Sequence, residues 1–200
     1  MYRVALLTAF LALGACQQAP SDQLIEPESV YTVLDAGPAR PLPVLGRITS
    51  TYAGQPTVWN TLDFSVGAID PSANVTTYDG TTLLYVGGYL PDQDNREDFG
   101  RLRIEAELPQ GAVPGAAGNV VIAVIDTPGY DAPRYVSGPD ARLQVTQIAP
   151  PVDISEVYGE IFGTFVATLC RAASREAPPD TSDCKPIAGE FSTQGSIQGM

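Results

Sequence analysis

Residues 101–108 read Arg101-Leu102-Arg103-Ile104-Glu105-Ala106-Glu107-Leu108. Apolar and charged residues alternate without a break. Successive side chains of a strand point to opposite faces, so this order puts the apolar residues on one side and the charges on the other. A helix of the same residues would scatter both kinds around its circumference. The octet therefore predicts a half-buried β-strand. Before it, Thr82, Leu84, Val86 and Leu90 show the same period, and Tyr78-Asp79-Gly80 supplies a hairpin turn. Val58, Asn60, Leu62, Phe64 and Val66 form an interrupted set of the same kind, predicted to face the core. After it, the apolar run Val120–Ile125 suits a strand covered on both faces. Leu143, Val145 and Ile148 mark a further strand whose broken spacing predicts a bulge. With 18 Pro and 19 Gly in the chain and no sustained helical period, the expectation is an all-β fold. It would be an antiparallel β-sandwich or flattened barrel of about eight to ten strands.

The first 15 residues follow different rules. One positive charge, Arg3, precedes an apolar run from Val4 to Leu13, which is shorter than the ~20 residues needed to span a bilayer. The run ends in Leu13-Gly14-Ala15-Cys16, which resembles the bacterial lipobox. That resemblance implies a signal peptide over residues 1–15, cleavage before Cys16 and lipidation of Cys16, with acyl chains such as palmitate holding the protein to a membrane. Among lipoproteins of Gram-negative bacteria, Asp after the cysteine favours inner-membrane retention. Gln17 stands there instead, so the resemblance implies the outer membrane, on its periplasmic face or, alternatively, displayed on the surface. Residues 16–29, with Pro20 and Pro27 and no apolar period, read as a lipidated flexible tether. Residues 30–200 are then expected to form a single β domain.

With Cys16 assigned to lipid, Cys170 and Cys184 remain as a pair in an oxidising compartment, and a disulfide between them is expected. If they face each other in an antiparallel hairpin, all facing residues have numbers that sum to 354. Ala167 then faces Ile187, Phe165 faces Gly189, Gly163 faces Phe191 and Ile161 faces Thr193, all on one side. Thr168, Thr164 with Glu190, and Phe162 with Ser192 fall on the other. Each inward Phe thus lies across from a glycine, whose bare backbone a ring can cover. Arg171 to Asp183 is predicted to be the exposed tip.

Several short motifs resemble a family of uncharacterised bacterial lipoprotein β-domains. In order they are Gly54 to Trp59, Thr82 to Gly88, Gly118-Asn119-Val120, Leu143-Gln144-Val145-Thr146, Ile161-Phe162-Gly163-Thr164-Phe165 and Ala188-Gly189-Glu190-Phe191. They span residues 45 to 197. The resemblance implies an extracytoplasmic β-sandwich and brings no established activity or catalytic residue. The cysteine loop in the last hairpin departs from the family pattern.

Composition narrows the chemistry. Histidine is absent, which removes Ser-His-Asp and Cys-His catalysis and imidazole metal sites. The net charge is −12, which argues against nucleic acid and against anionic headgroups as partners, since either would be repelled. Asp92, Asp94, Glu97 and Asp98 form the densest acidic group; it is either a solvated loop or a set of oxygen ligands for Ca²⁺. If even-numbered residues of strands 57–66 and 81–90 face the core, Trp59, Tyr85 and Tyr89 face outward. They would then form an aromatic platform with Asp63 beside it, suited to a sugar ring or a protein partner. The expected function is a lipid-anchored envelope protein with a non-catalytic binding or structural module, its partners the membrane and envelope proteins or glycans. The alternatives are a carboxylate-based hydrolase of envelope glycans and a calcium-stabilised adhesion domain.

Overall fold

A computed structural model describes residues 41–91, 100–109, 112–153 and 155–199, within one unit running from Arg40 to Met200. The predicted signal peptide, Cys16, the tether, and the acidic group Asp92, Asp94, Glu97 and Asp98 lie outside the described residues.

The protein is all-β, and among the described residues there is no helix. Eleven strands follow in order: β1 (Val44–Tyr52), β2 (Gln55–Leu62), β3 (Ala73–Tyr78), β4 (Thr81–Tyr89), β5 (Arg101–Leu108), β6 (Gly115–Ala116), β7 (Gly118–Ile125), β8 (Arg134–Ser137), β9 (Arg142–Ala149), β10 (Gly159–Ala172) and β11 (Asp180–Gln198). They belong to a single sheet rather than to two stacked ones, and eight of them (β1, β2, β4, β5, β7, β8, β10 and β11) close into a ring of pairings. One pairing is parallel, β11 with β3, so the sheet is mixed. That pairing has a topological cause. Along β11, residues 187–193 pair with β1 and residues 196–198 with β3. Along β4, residues 81–86 pair with β3 and Tyr89 with β2. The β1–β2 hairpin and β3 thus fill successive stretches of the same gap between β11 and β4.

The local signals explain most of these elements. In β5, Leu102, Ile104, Ala106 and Leu108 are buried and the intervening charges are half-exposed, as the alternation requires. Asp79 and Gly80 both have positive φ, which is what a two-residue hairpin turn needs to match the strand twist. Residues Ile122–Ile125 are buried on both faces. The bulge falls on Thr146: Phe162 pairs with Gln147 and Gly163 with Val145, leaving Thr146 without a facing residue.

The β10–β11 register keeps the sum of 354 from Gly159↔Gly195 to Cys170↔Cys184, and those two cysteines are disulfide-bonded. The rings of Phe191 and Phe165 do lie on Gly163 and Gly189: a Cβ on either glycine would meet a ring carbon at 2.5 Å or 2.9 Å. The exposed tip is shorter than expected. Pairing resumes beyond the disulfide with Arg171 opposite Asp180, and Ala172 is buried, because a register shift lets the strands continue past the cysteines.

Most of β2 reverses its predicted parity. Trp59 and Thr61 point into the core, whereas Val58 is 40% exposed and Val66, beyond the strand, 93%; Leu62, at the end of the strand, is buried as its predicted parity requires. The alternating set Val58–Val66 was misleading because both faces of this segment mix polar and apolar residues. Burying Trp59 removes far more apolar area from water than burying Val58 would. Two features make room for it. A Cβ at Gly88 would meet the Trp59 Cβ and the Ile48 Cδ1 at 2.7 Å, so the glycine leaves the space the indole enters. Thr61, inward and fully buried, meets the Thr193 hydroxyl at 2.6 Å, which satisfies the polar group that inward parity brings along.

Candidate functional site

The charged face of β5 contributes Arg101 and Arg103 to a cavity of 170 Å³ completed by Ile125, Gly129, Tyr130, Arg134 and Arg175. Four of the chain's eleven Lys and Arg residues therefore surround one small space, in a protein of net charge −12. Arg134 begins β8 and is only 6% exposed. Its Nη2 donates to the Tyr130 carbonyl at 2.6 Å and its Nε to the Ala132 carbonyl at 3.3 Å. These neutral acceptors orient the guanidinium without neutralising it. Arg175 reaches in from the β10–β11 tip, donates to the Tyr130 hydroxyl, and places its guanidinium carbon 4.9 Å from the Tyr130 ring centroid. Arg103 Nε lies 3.3 Å from Glu105 Oε1, the one ion pair among the described residues. Arg101 donates to the Tyr85 hydroxyl and lies against the rings of Tyr85 and Tyr89.

The predicted aromatic platform is not assembled. Trp59 is 2% exposed and belongs to the core, so it offers no face for stacking. Tyr89 has the predicted outward parity but is only 7% exposed, covered by Phe64 at a centroid distance of 5.3 Å and by Arg101. Tyr85 faces outward and half-buried, engaged by Arg101. Asp63 is occupied in its own turn: Oδ1 accepts from the Ser65 amide at 2.9 Å, and the Ser65 hydroxyl meets that of Tyr158 at 3.0 Å. Desolvation raises the Asp63 carboxyl's pKa, but the hydrogen bonds from Ser65 and Tyr158 outweigh it and hold the carboxyl below its ordinary range. Among the described residues no group of three His, Cys, Asp or Glu side chains is placed to hold a metal ion.

Two further sites carry polar chemistry. Beside the disulfide, the Lys185 ammonium sits 3.8 Å from the Tyr135 ring centroid, and the Tyr135 hydroxyl donates to the Asp183 carboxylate at 3.1 Å. Tyr52 packs edge-on to Tyr135, and burial, with Asp126, Tyr135 and Asp183 adding to it, pushes its phenol far above the ordinary value. A phenol pushed up in this way keeps its proton and packs the structure. Elsewhere, Glu156, Tyr158, Glu160 and Gln194 line a wider cleft of about 400 Å³. Its carboxylates are already engaged, Glu156 by the Val152 amide at 3.0 Å and Glu160 by the Gln147 side-chain amide at 3.0 Å.

The arginine cavity was not legible as a unit in the sequence. Arg101 and Arg103 stand out as the charged half of β5, but Arg134 and Arg175 come from 31 and 72 residues beyond Arg103. The signal that could have found it is scarcity: the chain has so few cations, 11 against 23 acidic residues, that their distribution carries information. No family model matches the chain, and neither the curated proteins nor the solved structures contain a match.

Proposed function

We propose that this chain is a lipid-anchored envelope protein whose β body is a binding module without catalysis, working at the outer membrane. The observation that carries the binding role is the arginine cavity. Its lining is four guanidiniums, the Tyr130 phenol and Ile125, a set of fixed hydrogen-bond donors suited to holding a ligand. The anchoring half rests on the lipobox-like Leu13-Gly14-Ala15-Cys16 and on the resemblance to uncharacterised lipoprotein β-domains. A disulfide-braced fold agrees with an oxidising compartment.

The test of anchoring is metabolic labelling with a palmitate analogue. Cys16→Ser is expected to lose both the label and membrane retention while keeping the 170–184 disulfide; a labelled, membrane-retained variant would defeat the reading. A hydrolase acting on envelope glycans is the second reading, favoured by the two carboxylates in the cleft beside Tyr158. It requires glycan turnover that Glu156→Gln or Glu160→Gln abolishes. The calcium-stabilised alternative requires a higher melting temperature in millimolar calcium than in chelator, lost when Asp92, Asp94, Glu97 and Asp98 are neutralised.

A further inference from the structure

The arginine cavity asks for a particular kind of ligand. Burying a charge is costly unless a counter-charge accompanies it. Arg134 is buried, yet among the described residues no carboxylate lies within 4.0 Å of its guanidinium, and both of its hydrogen bonds go to main-chain carbonyls. Those two bonds fix the fork in place and leave Nη1 without a described acceptor. Arg175 likewise has a phenol and a ring for company, with no described carboxylate within 4.0 Å. A fixed, uncompensated guanidinium beside a second, more exposed one is a preorganised anion receptor.

Size and geometry narrow the anion. The cavity's 170 Å³ falls below the ~300–1,000 Å³ of sites that enclose drug-sized ligands, so it suits one charged headgroup with the rest of any larger molecule outside. A carboxylate is planar, and its best match is a single guanidinium fork lying in its own plane. A tetrahedral oxyanion spreads its oxygens in three dimensions and can accept from several forks that approach from different directions, here from β5, from the start of β8 and from the β10–β11 tip.

We propose that this cavity binds a phosphate-class oxyanion, free or borne on a lipid headgroup, with Arg134 as the fixed donor and Arg175 as the outer one. This deepens the binding-module reading and rests on it. The test uses the full-length lipidated protein in neutral detergent, with the melting temperature and calorimetric titration as readouts. Inorganic phosphate is expected to raise the melting temperature beyond chloride of equal ionic strength. Arg175→Gln, exposed enough to leave the fold intact, should weaken phosphate binding at least tenfold, and Arg134→Gln should weaken it further. No shift beyond chloride, or a shift that both variants keep, overturns the proposal; if Arg134→Gln fails to fold, Arg175→Gln alone decides. Water-soluble short-chain phosphatidylglycerol, set against phosphatidylcholine, separates the sources. Competition with phosphate by phosphatidylglycerol but not by phosphatidylcholine points to an anionic headgroup, and binding of inorganic phosphate that neither lipid displaces points to a soluble phosphate. Palmitate labelling of the same preparation keeps the two readings apart, since loss of the label with phosphate binding intact removes the anchor and not the receptor.

Discussion

The β10–β11 hairpin and strand β2 are both alternating strands of the same ring, and their sequences predict their structures with opposite success. In the hairpin, two independent constraints agree. The disulfide demands that Cys170 face Cys184, and that register sets Phe165 over Gly189 and Phe191 over Gly163. A slip by one residue would break the pairing and turn both rings to solvent, so no competing register is close in energy. In β2, neither face is clearly apolar. Val58 and Leu62 favour one parity and Trp59 favours the other, and the choice falls to features on other strands, namely Gly88 on β4 and Thr193 on β11. A strand's pattern decides its face only when the pattern is strong; otherwise volume and hydrogen-bond partners elsewhere decide it.

The comparison breaks most sharply at Trp59. Trp59→Ala should cost about 3–5 kcal/mol, the same range as Phe191→Ala in the hairpin, since each empties a core site. Urea unfolding measures both, and a neutral Trp59→Ala would return the indole to the surface. Next in size is the covalent brace. Replacing Cys170 and Cys184 by serine should cost about 3 kcal/mol for a loop of this length. The Gly163–Phe191 and Gly189–Phe165 contacts should still hold the register, so amide exchange protection along β10 should keep its pattern; a shifted pattern would mean that the disulfide alone sets it.

A smaller effect tests why β2 tolerates a polar residue inside. Thr61→Val removes the hydrogen bond to the Thr193 hydroxyl, which still donates to the Gln194 carbonyl at 2.8 Å, and should cost about 1 kcal/mol. Thr61→Val with Thr193→Val should cost less than the two single changes added together, and a simple sum would show that the pair is not coupled. The smallest effect lies where β2 runs out. The hydrogen bonds that hold the Asp63 carboxyl below its ordinary pKa of 3.8 come chiefly from Ser65. Because the folded-state value is the lower one, the contribution to stability is complete above the unfolded pKa and is lost as pH falls through the folded one. Ser65→Ala should move the Asp63 titration upward toward its ordinary value, followed by carboxyl NMR; an unmoved midpoint would assign the shift to another group.

The candidate site divides along the same line. Its β5 half was legible, because Arg101 and Arg103 occupy the charged phase of a perfect alternation and had to face away from Leu102 and Ile104. The other half was not. Arg134 reads as an ordinary residue after a loop, and nothing local to it says that its guanidinium turns back to the carbonyls of Tyr130 and Ala132. Arg175 lies in the tip beyond the disulfide, and its meeting with Tyr130 depends on β7, β8 and β10 lying side by side. The same holds for the platform that did not form: Tyr85 and Tyr89 kept their predicted phase, but Phe64 and Arg101 covered that face.

By itself, then, the sequence determined the strand character of this chain, its Asp79-Gly80 turn, the bulge in β9 and the register of the last hairpin as far as the disulfide. Each of these depends on residues close in the chain or joined by a covalent bond, where side-chain period, backbone conformation and the Cys170–Cys184 link leave one answer. The tertiary structure decided the inward turn of Trp59, the parallel partnership of β11 with β3, and the gathering of four arginines around one cavity. Those outcomes depend on which strands become neighbours when the ring closes, and closure is set by the packing of the whole core, a sum no single segment carries.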